Sequence, residues 1–163
     1  MRASHVALAL LGLLAAGVAA PAWSESLGRW SERPAQCRRS WVDAQPGPCA
    51  SVVLDQRTAG VMRVLLLAPA AAPVAYNQLA FVGQLPPGSE PMACRNGTCT
   101  LNQPIALALS SVSQGEFDGR GLARGLPHAW PVEGQCQLRP ERITCEARAL
   151  SGERWQAEAR SGR

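Results

Sequence analysis

From residue 51 onward, short runs that are either continuously apolar or alternate apolar and polar positions with a period of two are separated by Gly and Pro. That alternation turns one side of each run to a core and the other to water, the mark of half-buried strands. Residues 51–54 and 61–67 are branched, apolar runs, and the loop Pro69-Ala70-Ala71-Ala72-Pro73 separates them from a third run at 75–82. Residues 105–109 form another short strand. Residues 116–123 alternate as well, with Phe117, Gly119, Gly121 and Ala123 on one side and Glu116, Asp118, Arg120 and Leu122 on the other. Later runs put Ile143, Cys145, Ala147 and Ala149, then Trp155, Ala157 and Ala159, on single faces. Short strands at this spacing predict a mainly β fold, a small antiparallel β-sandwich or barrel, over residues 49–163.

The first 48 residues follow other patterns. Residues 1–22 read as a secretory signal peptide: Arg2 is the positive start, residues 6–18 are an apolar run, and Ala19-Ala20-Pro21-Ala22 supplies small residues for cleavage after Ala22. The uncharged stretch from Val6 to Trp23 just reaches the ~18 residues of a membrane span, but Pro21 and the small-residue exit favour cleavage, leaving no stable span. Residues 23–48 read as an N-terminal arm or loop. Trp23, Leu27 and Trp30 would share one face of a short helix that Gly28 and Pro34 confine to about two turns.

Composition sharpens the picture in one respect. With 47% hydrophobic and 17% charged residues, the chain is neither a disordered tail nor a multi-span membrane protein. The formal net charge of +4 is mild, and the Arg residues are dispersed among acids, so nucleic acid is not an expected partner. The six cysteines all follow the signal, and an even count in an exported chain predicts disulfides.

Turn chemistry selects the pairing. Cys94-Arg95-Asn96-Gly97-Thr98-Cys99 contains Asn-Gly, which suits a type I′ hairpin whose two central residues need positive φ. Arg95 then pairs with Thr98, and Cys94 with Cys99 at a close, non-hydrogen-bonded position that accepts a disulfide. The same register places Met92 opposite Leu101. The stretch from Cys136 to Cys145 is symmetric about Pro140-Glu141, pairing Leu138 with Ile143 and Cys136 with Cys145. Because proline cannot take positive φ, a four-residue loop is expected there rather than a tight turn. Cys37 pairs with Cys49 by elimination. Structural zinc would need two closely spaced ligand pairs, and only Cys94 and Cys99 are close, so no metal or other cofactor is expected.

Candidate chemistry is sparse. His128 lies in the Pro-bracketed segment Leu126-Pro127-His128-Ala129-Trp130-Pro131, read as a loop, with no nucleophile motif to accompany it. Glu116 and Asp118 could act as paired carboxylates, but Arg120 continues their row, which reads as a solvated, charge-compensated face. Candidate binding residues are the pre-organised hairpin tip Arg95, Asn96, Gly97 and Thr98, together with Arg38 and Arg39 beside Trp41, a pairing suited to an anion. The expectation is an exported, periplasmic or secreted, non-catalytic binding or accessory protein of the cell envelope. Its expected partner is another envelope or secreted protein. Two alternatives are an inhibitor inserting the Cys94–Cys99 loop into a hydrolase, and a small hydrolase using His128.

Overall fold

The computed structural model describes residues 27–42 and 44–162; the signal segment and Trp23 lie outside the described residues. Twelve strands account for the architecture: β1 (Gly28–Glu32), β2 (Gln36–Trp41), β3 (Ala44–Pro48), β4 (Ser51–Thr58), β5 (Val61–Pro69), β6 (Tyr76–Gln84), β7 (Ala93–Arg95), β8 (Thr98–Thr100), β9 (Ile105–Phe117), β10 (His128–Arg139), β11 (Arg142–Ala149) and β12 (Arg154–Arg160). Among the described residues there is no helix, hence none long and apolar enough to cross a membrane. The strands form one sheet in the order β3-β2-β12-β11-β10-β9-β6-β5-β4-β1-β8-β7.

That order closes on itself. Laid flat, β1 and β2 would stand eight strand spacings apart, roughly 38 Å at ~4.8 Å each. Yet only Arg33, Pro34 and Ala35 join them, a reach of about 14 Å. The sheet therefore curls into a barrel in which one bent N-terminal stave changes neighbours. Its first half, β1, pairs with β4, and its second half, β2, pairs with β12. Ala35 N–H donates to Arg160 O at the hand-over. β3 and β4 form the second stave, bent at Cys49-Ala50, and β5, β6, β9, β10, β11 and β12 complete an up-and-down meander. The arm expected at 23–48 is thus strand from Gly28 onward. In place of a helix face, Trp30 pairs with Leu54 and packs on the core, because the half-buried row Gly28, Trp30, Glu32 has period two.

Inward rows fill the barrel: Val52 and Leu54 from β4, Met62, Val64 and Leu66 from β5, Leu79 and Phe81 from β6, Leu138 from β10 and Trp155 from β12. Small Ala147, Ala149, Ala157 and Ala159 make room for Trp155, the largest fully buried side chain. β9 breaks the period: Ile105, Leu107 and Leu109 point inward, then Val112 and Gln114, because a bulge lies between Leu109 and Ser111. Opposite it, Gly83 and Gly134 let neighbouring backbones approach, since a Cβ would come within 2.6 Å of Ala108 O and 2.1 Å of Glu146 O respectively.

All three expected disulfides form: Cys37–Cys49, Cys94–Cys99 and Cys136–Cys145. Three cross-links in so small a barrel fit an oxidising environment. At the Asn-Gly turn, φ is 50° at Asn96 and 75° at Gly97, and Met92 and Leu101 behind it are buried. Three local expectations change. Arg139 pairs with Arg142, so Pro140-Glu141 is a tight two-residue turn after all, made without positive φ at either position. Residues 118–127 are turn and loop rather than a continuous strand, with a single bridge from Phe117 to Ala123, because Asp118 Oδ1 accepts from the N–H groups of Arg120 and Leu122 and curls the chain. The segment from His128 to Pro131 is strand, and Pro131 is tolerated because the ladder shifts register immediately after it.

Candidate functional site

The staves divide the candidate residues between two ends. One end carries the β4–β5 and β10–β11 turns and the β7–β8 hairpin; the other carries the β2–β3, β5–β6, β9–β10 and β11–β12 connections. The hairpin tip lies flat on the barrel rather than projecting from it. Arg29 pairs with Thr98 and its N–H donates to Gly97 O at 2.9 Å. Gly28 is required beneath it, since a Cβ there would stand 2.6 Å from Gly97 O and 2.7 Å from Cys99 Sγ. Arg95 and Asn96 stay exposed, but the tip backbone is committed to covering the edge of β1.

Arg39 and Trp41 occupy the opposite mouth. Alternation along β2 sends Cys37, Arg39 and Trp41 inward, and Arg38 outward into a shallow charged groove beside Glu158 and Arg142. Arg39 is only 6% exposed. Its guanidinium carbon sits 4.7 Å from the Trp41 ring centroid, and Nη2 donates to Asn77 Oδ1 on β6. Nε and Nη1 are buried and meet no acceptor among the described residues. Burial lowers the Arg39 pKa from its ordinary value, by desolvating the charged form.

Beneath these residues the mouth has a hydrogen-bonded floor. Gln114 Oε1, with its amide oriented by its neighbours, accepts from Val42 N–H at 2.9 Å and Trp155 Nε1–H at 3.1 Å, tying the β2–β3 turn to β9 and β12. Trp155 packs on Trp130 at 5.0 Å, and Trp130 in turn lies 6.0 Å from the His128 ring. His128 is therefore at the rim of the same mouth, its ring tilted against an indole.

A cleft of about 410 Å³ opens between β3 and the ends of β5 and β6, lined by Arg39, Trp41, Pro48, Ala68, Asn77 and Glu116 among others. It stays open because β3 pairs only with β2, and Pro46 and Pro48 lack the N–H donors another strand would need. The Cys37–Cys49 bridge fixes its base. Glu116 faces the cleft, whereas Asp118 lies in the following turn with Arg120 at 3.2 Å, so the two carboxylates do not form a pair. Among the described residues no group of three His, Cys, Asp or Glu could hold a metal ion.

The sequence pointed to Arg39 and Trp41 but not to Asn77, Gln114, Trp130 or Trp155. A usable signal was present in β6, where Asn77 continues the inward row of Leu79 and Phe81: a polar residue ending such a row marks a barrel mouth. No protein-family model, curated protein or solved structure matches the chain.

Proposed function

We propose that this chain is an exported, non-catalytic binding protein that serves as an accessory or interaction factor of the cell envelope. Its working surface is the barrel mouth around Arg39. The observation that carries this reading is the charged guanidinium held within a disulfide-stapled barrel, beside an open cleft and against Trp41. A rigid, pre-organised mouth lowers the entropy cost of binding. Two further features support binding over chemistry. All six cysteines are in disulfides, which removes the thiol nucleophiles, and His128 leans on Trp130. The hairpin tip serves as a cover for β1, which favours the mouth over the tip as the contact surface.

Affinity capture from native envelope and secreted fractions tests the proposal, using the oxidised mature chain as bait. A partner retained by the wild type and lost with Trp41→Ala supports the mouth. Retention that depends instead on Arg95 and Asn96, with the Cys94–Cys99 bridge intact, moves the working surface to the hairpin.

A further inference from the structure

We propose that the cleft between β3 and β5 binds a small organic monocarboxylate, with its carboxylate on Arg39 and its apolar body along Trp41 and Ala68. This deepens the reading of the mouth as a binding surface and rests on it.

A guanidinium offers five N–H donors in a planar fork matched to a carboxylate. In this protein the fork is largely withdrawn from water, and it forms no ion pair with any described residue. Among the described residues its hydrogen-bond partner is Asn77, a neutral amide, and Nε and Nη1 meet no acceptor. Several other Arg residues of the barrel do meet carboxylates. Arg63 and Arg57 are paired with the buried Asp55, and Arg142 and Arg160 with the partly exposed Glu158. A buried cation that no described residue neutralises is costly unless an anion joins it, and the adjoining cleft is where an anion can arrive. By turning from Asn77 toward the cleft, the fork exchanges a neutral acceptor for a charged one, giving shorter and stronger bonds.

Size and charge narrow the ligand. About 410 Å³ lies within the range of small-molecule sites. Trp41, Ala68 and Pro69 give the cleft apolar wall, which suits a ligand with a hydrocarbon or ring body. Glu116 lies on the same lining, and its charge disfavours a second negative group on the ligand. One carboxylate on an apolar body matches Arg39 and Trp41 while keeping the negative charge placed near Glu116 to a minimum.

The test titrates the oxidised mature chain with hexanoate, hexanamide, succinate and inorganic phosphate, following tryptophan fluorescence and heat. Hexanoate is expected to saturate at least about tenfold more tightly than hexanamide, with phosphate and succinate weaker than hexanoate. Arg39→Met is expected to remove the preference for hexanoate while the chain stays folded, because it replaces a buried charge with a side chain of similar length. Glu116→Gln is expected to bring succinate closer to hexanoate. Equal affinities for hexanoate and hexanamide, or no saturation by either, overturn the proposal, and they do so in the wild type even should Arg39→Met not fold. Envelope capture that still depends on Trp41 while hexanoate fails to bind rejects the carboxylate and leaves the mouth as a protein-binding surface.

Discussion

Replacing Gly134 with alanine is expected to destabilise the barrel by about 2–4 kcal/mol. Gly134 sits in the middle of the sheet, partnered by Leu109 on one side and Ala147 on the other. A Cβ there would lie 2.1 Å from Glu146 O, 2.7 Å from Ala147 Cα and 3.0 Å from Glu146 C, all backbone atoms that no rotamer change can move. Ordinary contact begins at 3.4 Å, so β11 must retreat by about 1 Å along this stretch. Overpacking of this kind costs about 1–3 kcal/mol, and each ladder hydrogen bond weakened by the retreat adds about 1 kcal/mol. The intrinsic advantage of alanine over glycine in a strand returns only about 0.5–1 kcal/mol. In a barrel of this size the net loss corresponds to roughly 5–15 °C in the unfolding midpoint. Urea unfolding with the disulfides intact, followed by the fluorescence of Trp130 and Trp155, reads it directly. Gly119→Ala is the control, since Gly119 has open space around it, and its effect is expected to stay within about 0.5 kcal/mol. Equal midpoints for the two variants would refute the close-approach reasoning, because they would mean that β10 and β11 can part at no cost.

Replacing both Cys136 and Cys145 with alanine opens a loop with a sequence separation of 9. The expected loss is about 2–3 kcal/mol in the chain-entropy model, read as a lower urea midpoint than the oxidised wild type; an unchanged midpoint would show that the bridge contributes nothing. Asp55 provides a pH test. Burial pushes its carboxyl up, but hydrogen bonds and charge from Arg63 and Arg57 outweigh that and hold it below the ordinary 3.8. Because the folded value is the lower one, its contribution is full above about 3.8 and is lost as pH falls through the folded value. Asp55→Asn is therefore expected to flatten the fall in thermal midpoint between about pH 4 and pH 2, and parallel curves for variant and wild type would contradict the ion-pair account.

Local chemistry made much of this fold legible. Asn96-Gly97 can be only a narrow set of turns, and that turn fixes Cys94 against Cys99 whatever the rest of the chain does. The symmetric stretch around Pro140 does the same for Cys136 and Cys145, although tertiary pairing on both sides of β10 and β11 overrode the expectation of a wider loop. What stayed hidden depends on distant partners. The bulge in β9 shifts the inward row between Leu109 and Val112, so a strand of 13 residues looked like one of five. The polar stretch from Gly28 to Trp41 becomes strand because two different neighbours, β4 and β12, accept it. The site shows the same limit. Adjacency drew attention to Arg38, Arg39 and Trp41 together, but only pleat direction separates Arg39, which enters the barrel, from Arg38, which does not. Asn77 joins Arg39 from 38 residues away, a meeting that barrel closure creates and no local pattern records.

Because β2 takes its last neighbour from β12, the ring cannot seal until the segment Arg154–Arg160 is in place. An incomplete chain holding everything up to Ala149 would carry two raw strand borders, one on β2 and one on β11, each able to recruit a stranger. Arg39 would then line an open gutter rather than a cup. The seven-residue strand Arg154–Arg160 thus supplies the missing wall beside Arg39 and closes the ring in one step.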